Sequence, residues 1–241
     1  MKSYKRFLNY SYEPYRLHFC GPQDDKSGKV VDDFLKGRKI SANRLDKVAG
    51  EFVGVYPYLE LIAEKNKLKP LDEQVVEAYW IGNNLLKQVT SQDLKDLIFK
   101  KFVGQGKLSV AEGERLALGV PNRAVAHHSF HVLYVGSVTD TVQLVGKLLD
   151  LCRISWGKVI GYGGDTIKVR YRPLIVKPND LRLGRDEVEK EIKWNKQVLP
   201  KVIENQIVTF HWGMASEIIS EDQVRNLEKY TLRNIDAITN A

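Results

Sequence analysis

From Ser41 to Lys67 the apolar residues Leu45, Val48, Phe52, Val55, Leu59 and Ile62 recur at alternating spacings of three and four. That is the period of a helix burying one face. Pro57 lies inside the run and has no backbone N–H, so the pattern predicts a kinked or split helix. Leu71 to Gln88 repeats the period through Val75, Val76, Tyr79, Trp80 and Leu86. Shorter amphipathic stretches cover Lys29–Gly37, Ser91–Val103 and Val110–Leu118. Residues 1–28 are rich in aromatics, carry Pro14 and Pro22, and read as irregular. Asp140, with Gln143 three positions on, can cap a helix that places Val142, Val145, Leu149 and Cys152 on one face.

After Cys152 the period changes from helical to two. In DTIKVRYR, Ile167, Val169 and Tyr171 alternate with Lys168, Arg170 and Arg172, as in a half-buried strand. ISWGKVIG reads as another strand, and GYGG between them as a hairpin turn. LRLGRDEVEKEIKW supplies one or two more. QIVTFHW reads as the last strand, with Val208, Phe210 and Trp212 on one face and Ile207, Thr209 and His211 on the other. Ser220 and Gln223 form a capping box, and Val224, Leu227, Thr231, Leu232, Ile235 and Ile238 continue as an amphipathic helix. The expected fold class is therefore α+β. A helical domain over 1–150 precedes a small antiparallel barrel over 151–241, closed by a C-terminal helix.

Composition narrows the function. Hydrophobic content of 43% and charged content of 28% are those of a globular protein with a substantial core. No apolar run reaches the roughly 18 residues of a spanning helix, and the N-terminus has no signal-peptide core, so no membrane role is expected. Two cysteines cannot build a disulfide framework, and a reducing cytoplasm is the expected location. The net charge of +7 alone is a weak argument for nucleic acid. An RNA-binding barrel is a minor alternative, with Lys168, Arg170 and Arg172 on phosphates and Tyr171, Trp156 or Tyr162 stacking bases.

The chemistry-bearing residues are few. His127, His128 and His131 cluster, and on a helix His127 and His131 would share a face at a metal-ligand spacing. His18 and Cys20 would share a side of an extended chain. Cys20-Gly21-Pro22 is similar to the nucleophile motif of papain-like enzymes, although Pro14 stands where that motif has a glutamine. A thiol hydrolase or metalloenzyme built on Cys20 and the His127–His131 segment is therefore one alternative. Core packing is the plain reading of Cys152, given the apolar face it shares.

The strings CRISWGKVIGYGGDTIKVRYRPLI and LPKVIENQIVTFHWGMASEIISEDQVRNLEKY together resemble the HypC/HupF family of [NiFe]-hydrogenase maturation chaperones. The family cysteine falls on Cys152, its first-strand glycine and valine on Gly157 and Val159, and its strand-end histidine on His211. Gly213, Ala215 and the Ser220–Gln223 cap follow in order. The resemblance covers residues 152–236. It departs from the family in having about 150 residues before the cysteine, Trp156 in place of a proline, and a long Pro173–Arg185 stretch. The first half is also similar to an uncharacterised bacterial family associated with hydrogenase gene neighbourhoods. The resemblance implies an OB-like barrel in which Cys152 and His211 transiently hold an iron centre of the kind that bears cyanide and carbonyl ligands. It implies partners among hydrogenase large subunits or other maturation proteins, and a chaperone rather than an enzyme. His18, Cys20, His127, His128 and His131 would form a second site.

Overall fold

A computed structural model describes residues 1–139, 141–178 and 180–240. The first half is helical: α1 (Lys2–Arg16), α2 (Asp25–Leu35), α3 (Ala42–Gly50), α4 (Tyr56–Asn66), α5 (Glu73–Trp80), α6 (Ser91–Leu97) and α7 (Val110–Leu118). The long 41–67 pattern divides into α3 and α4, with Pro57 in the first turn of α4, where its missing N–H costs nothing. Asp24, Asp72, Thr90 and Ser109 each cap a helix through a side-chain oxygen.

Three sequence expectations are corrected. Residues 2–16 are helical, not irregular: Pro14 lies in the last turn of α1, where it removes one backbone hydrogen bond and the helix ends two residues later. The helix predicted to carry Val142 is confined to α9 (Lys147–Cys152), and Val145 is 64% exposed. Asp140, its predicted cap, lies outside the described residues. QIVTFHW is followed by one further strand, whose Ala-Ser-Glu interior lacks β-branched residues and gave little strand signal.

The strands are β1 (Ser155–Gly163), β2 (Thr166–Tyr171), β3 (Leu174–Lys177), β4 (Asp180–Leu183), β5 (Val188–Lys193), β6 (Ile207–His211) and β7 (Met214–Ile219). They form a closed barrel in the order β1-β2-β5-β7-β6 and a separate β3-β4 hairpin. All barrel pairs are antiparallel except β5 with β7. With the hairpin set aside, this is the arrangement of a five-stranded OB-like barrel. The barrel interior holds Val159, Ile167, Val169, Ile192, Val208 and Phe210, as the alternation predicts for β2 and β6. Ser220 caps α10 (Glu221–Thr239) through the predicted box with Gln223.

A second, larger core joins the helices to the barrel. It runs from Phe7 in α1 through Phe52, Tyr58 and Trp80 to Ile154, Met214, Leu227 and Tyr230. The outer faces of β6 and β7 therefore pack on α1 instead of facing water. Tyr10 hydroxyl meets Thr209 Oγ1 at 2.9 Å, and Arg6 donates to Glu217 at 2.8 Å. Among the described residues no helix is long and apolar enough to cross a membrane.

Candidate metal centre

Three segments converge where the barrel meets the helices. His128 comes from a single helical turn, α8 (His128–Phe130), which continues as a π-turn over His131–Val135. Cys152 ends α9. His211 ends β6. One ligand atom from each of the three lies within 4.8 Å of the other two, and all three residues are buried.

Each element is held in place by identifiable forces. Trp212 and Gly213 take positive φ of 51° and 75°, making the tight turn that reverses β6 into β7. A left-handed tryptophan is strained, and packing holds it: its N–H donates to the Leu151 carbonyl at 2.7 Å and its ring stacks near Phe19. Trp212 therefore packs on Cys152, not in the barrel with Val208 and Phe210. Beside Cys152, the Arg153 guanidinium is 1% exposed. It pairs with Asp150 at 2.9 Å and donates to the Arg172 carbonyl at 2.6 Å. Asp150 also accepts from the Tyr171 hydroxyl and the Leu174 N–H, which ties α9 to β2 and β3.

Pro14 explains the orientation of His211. In an uninterrupted helix, residue 14 would donate its N–H to the Tyr10 carbonyl. Proline cannot, and that carbonyl instead accepts His211 Nδ1–H at 2.6 Å. A carbonyl only accepts, so the proton sits on Nδ1 and Nε2 carries a lone pair. Nε2 is buried with no partner among the described residues. The Cys152 carbonyl also lies toward this ring, but it takes the Nε2–H of His128 at 2.9 Å. His128 Nδ1 is consequently its lone-pair atom, facing the Tyr79 hydroxyl at 3.1 Å. Tyr79 has a second acceptor, the Gly54 carbonyl at 3.3 Å, so its hydroxyl can turn away from Nδ1. His211, with one ring nitrogen fixed by an N–H···O=C bond and the other without a partner among the described residues, is in the usual state of a metal-ligating histidine.

The trio opens on a cavity of about 50 Å³, more than a single water needs, with mainly apolar walls. Cys20 and His131 line it too. The opposite wall includes Val138, Val142 and Leu144, and the Thr139 and Thr141 hydroxyls tie it to the Phe19 carbonyl at 3.0 and 3.2 Å. Burial dominates the electrostatics. It holds His131 and His211 near pKa 4 and His128 well below its usual value, with the neighbouring His211 and His131 charges adding to the last shift. It raises the Cys20 thiol to about 11 and the Cys152 thiol further. At neutral pH the imidazoles are therefore neutral, ready to ligate, while each thiol must lose a proton as a metal binds.

The remaining candidates stand outside the trio. His127 is an N-cap with extended backbone, so the helical rule that paired it with His131 does not apply. Its Nδ1 accepts from the Ser129 N–H, and it does not line the cavity. His128 and His131 are the pair that share a face, with ring centroids 6.4 Å apart. His18 is exposed on the acidic surface near Asp24 and Asp32. Cys20 follows α1 instead of opening a helix, makes no hydrogen bond to a histidine among the described residues, and is not acidified. That removes the support for a papain-like nucleophile. Lys168 and Arg170 both pair with Glu189, and Arg172 with Glu228, which leaves little free charge for an RNA backbone. Sequence reasoning missed Tyr10, Tyr79 and Gly54. Only Pro14, four positions after Tyr10, signalled a free carbonyl.

The family of unknown function DUF6390 matches residues 2–241. The chain belongs to that family. The match spans the helices and the barrel together, so the site at their junction lies inside the family's own unit. No curated protein and no solved structure matches the chain.

Proposed function

We propose that the protein is a metal-handling accessory protein whose His128, Cys152 and His211 hold a soft or borderline transition-metal ion at the junction of helices and barrel. The observation that carries this reading is the convergence of one thiol and two imidazoles from segments far apart in sequence, one imidazole, that of His211, having its Nε2 buried without a partner among the described residues. A buried acceptor without a partner costs stability unless something binds it. The donor set suits iron or zinc, and three protein ligands leave positions open for exchange. The Tyr10 carbonyl would hold the His211 ring for ligation, and the apolar walls would keep competing water out.

The finer reading is that the cargo is iron, in a cyanide- and carbonyl-ligated centre, handled during [NiFe]-hydrogenase maturation. It rests on the HypC/HupF resemblance. Two features support it: the residues that the resemblance singled out, Cys152 and His211, lie together, and the barrel has OB-like strand order. The test is anaerobic purification with metal analysis and infrared spectroscopy in the cyanide and carbonyl region. Iron that co-purifies with the protein and is lost in Cys152→Ala supports the reading. Protein free of iron, with no hydrogenase-maturation partner, contradicts it.

A further inference from the structure

Cys20 and His131 line the cavity and neither belongs to the trio. The backbone amides of Gly21 and Gly54 favour a thiolate at Cys20, against the larger effect of burial, which raises its pKa. His131 Nε2 lies 3.0 Å from where a side chain at Gly54 would begin. A side chain at Gly54 would press on the His131 ring, so the glycine leaves room beside that imidazole. His131 is positioned from its other nitrogen, since Nδ1 meets the Tyr58 hydroxyl at 3.3 Å. Gly21 has φ of +99°, and a side chain there would strike Phe52, so the Cys20 turn is fixed in shape. Both donors line the same cavity as His128, Cys152 and His211. Their exposures differ, however: Cys152 is buried and Cys20 only half-buried.

We propose that Cys20 and His131 form a second metal-binding pair, the loading station through which a soft or borderline divalent cation passes before it reaches the inner trio. The proposal rests on the preceding reading for the trio and adds a second station to it. The ligand chemistry is the same, one thiolate and one neutral imidazole, so the cation is exchanged between like donors. At loading, a Cys20 S–metal bond forms and the thiol proton leaves to solvent. At hand-over, a Cys152 S–metal bond forms as the Cys20 bond breaks, and the Cys152 proton is replaced on Cys20. No electron changes hands. Thiolate amide contacts from Gly21 and Gly54 favour the sulfur anion during the exchange.

The experiment is stopped-flow mixing of the full-length apoprotein with cobalt(II), following the thiolate-to-cobalt absorption. The wild-type protein is expected to show a fast phase followed by a slower spectral change. Cys20→Ser is expected to slow uptake by about an order of magnitude and to leave the final spectrum and affinity unchanged. Cys152→Ala is expected to keep a weak thiolate absorption that vanishes in the Cys20→Ser/Cys152→Ala double variant. The Cys152→Ala measurement needs no Cys20 variant, and circular dichroism checks its fold. Uptake by Cys20→Ser at the wild-type rate overturns the proposal. So does folded Cys152→Ala with no thiolate absorption. No absorption in the wild-type protein sinks the inner trio itself, which distinguishes that failure from failure of the loading station alone.

Discussion

The two faces of β6 are both buried, yet they do different things. Val208 and Phe210 face the barrel interior, a hydrophobic cluster whose Tyr171 and Phe210 rings are met by the Lys190 ammonium at 5.3 and 5.8 Å. Thr209 and His211 face α1 and meet Tyr10 through polar contacts. The first face is a core whose whole role is to exclude water. On the second, three histidines, one of them with an orphaned nitrogen, and two thiols line a cavity, at a cost in desolvation. A fold selected for stability alone would fill that space with aliphatic side chains. The contrast locates function at the junction and stability in the barrel.

The contrast breaks most visibly in the barrel. Phe210→Ala should cost about 3–5 kcal/mol of unfolding free energy, read by urea denaturation. The fraction that remains folded should bind metal as the wild-type protein does. Loss of metal binding from folded Phe210→Ala would show that the two faces are not separable.

Acid should act on the other face. His131 and His211 hold pKa values near 4 in the folded chain and near 6.5 when unfolded. Below pH 6.5 the unfolded state binds more protons, so stability falls with pH down to about 4 and the loss then levels off. By pH 5 each contributes a loss of roughly 2 kcal/mol, at about 1.4 kcal/mol per unit. His127, at about 3, loses stability over a wider range. Unfolding followed from pH 7.5 to 4.5 should show this slope, and saturating zinc should flatten it. A slope that His211→Gln leaves unchanged would remove His211 from it.

Pro14→Ala should weaken metal binding by about tenfold, because the restored N–H competes with His211 for the Tyr10 carbonyl. Stability should hold or rise. Tyr79→Phe should have the smallest effect and the opposite sign. Without the hydroxyl, His128 Nδ1 is free, and metal affinity should increase a fewfold by competition titration. A decrease would mean that His128 ligates through its other nitrogen or not at all.

Local rules made much of the fold legible. The Ser220–Gln223 box, the alternation through Ile167, Val169 and Tyr171, and the 110–118 helix all depend on neighbours in sequence, and they appear as the sequence predicts. What escaped depends on contacts at long range. Pro14 reads as a breaker until the carbonyl it frees is seen bonded to His211, nearly two hundred positions away. β7 has a weak strand pattern because its middle is small and polar: Ala215 closes the barrel and Ser216 receives Asn9 through its carbonyl. The histidine cluster was visible as a cluster, but its pairing was not. One residue of offset in the helix start made His127 a cap and put His128 in the cavity.

The central claim is that His128, Cys152 and His211 bind one metal ion together. Cobalt(II) titration of the reduced, full-length apoprotein, followed by absorption, tests it most directly. A thiolate-to-cobalt band together with tetrahedral d–d bands should saturate at one equivalent for the trio. The tight component should disappear in Cys152→Ala and weaken in His211→Gln and His128→Gln. An absorption spectrum of free aqueous cobalt in the folded wild-type protein, or identical titrations for all three variants, would contradict it.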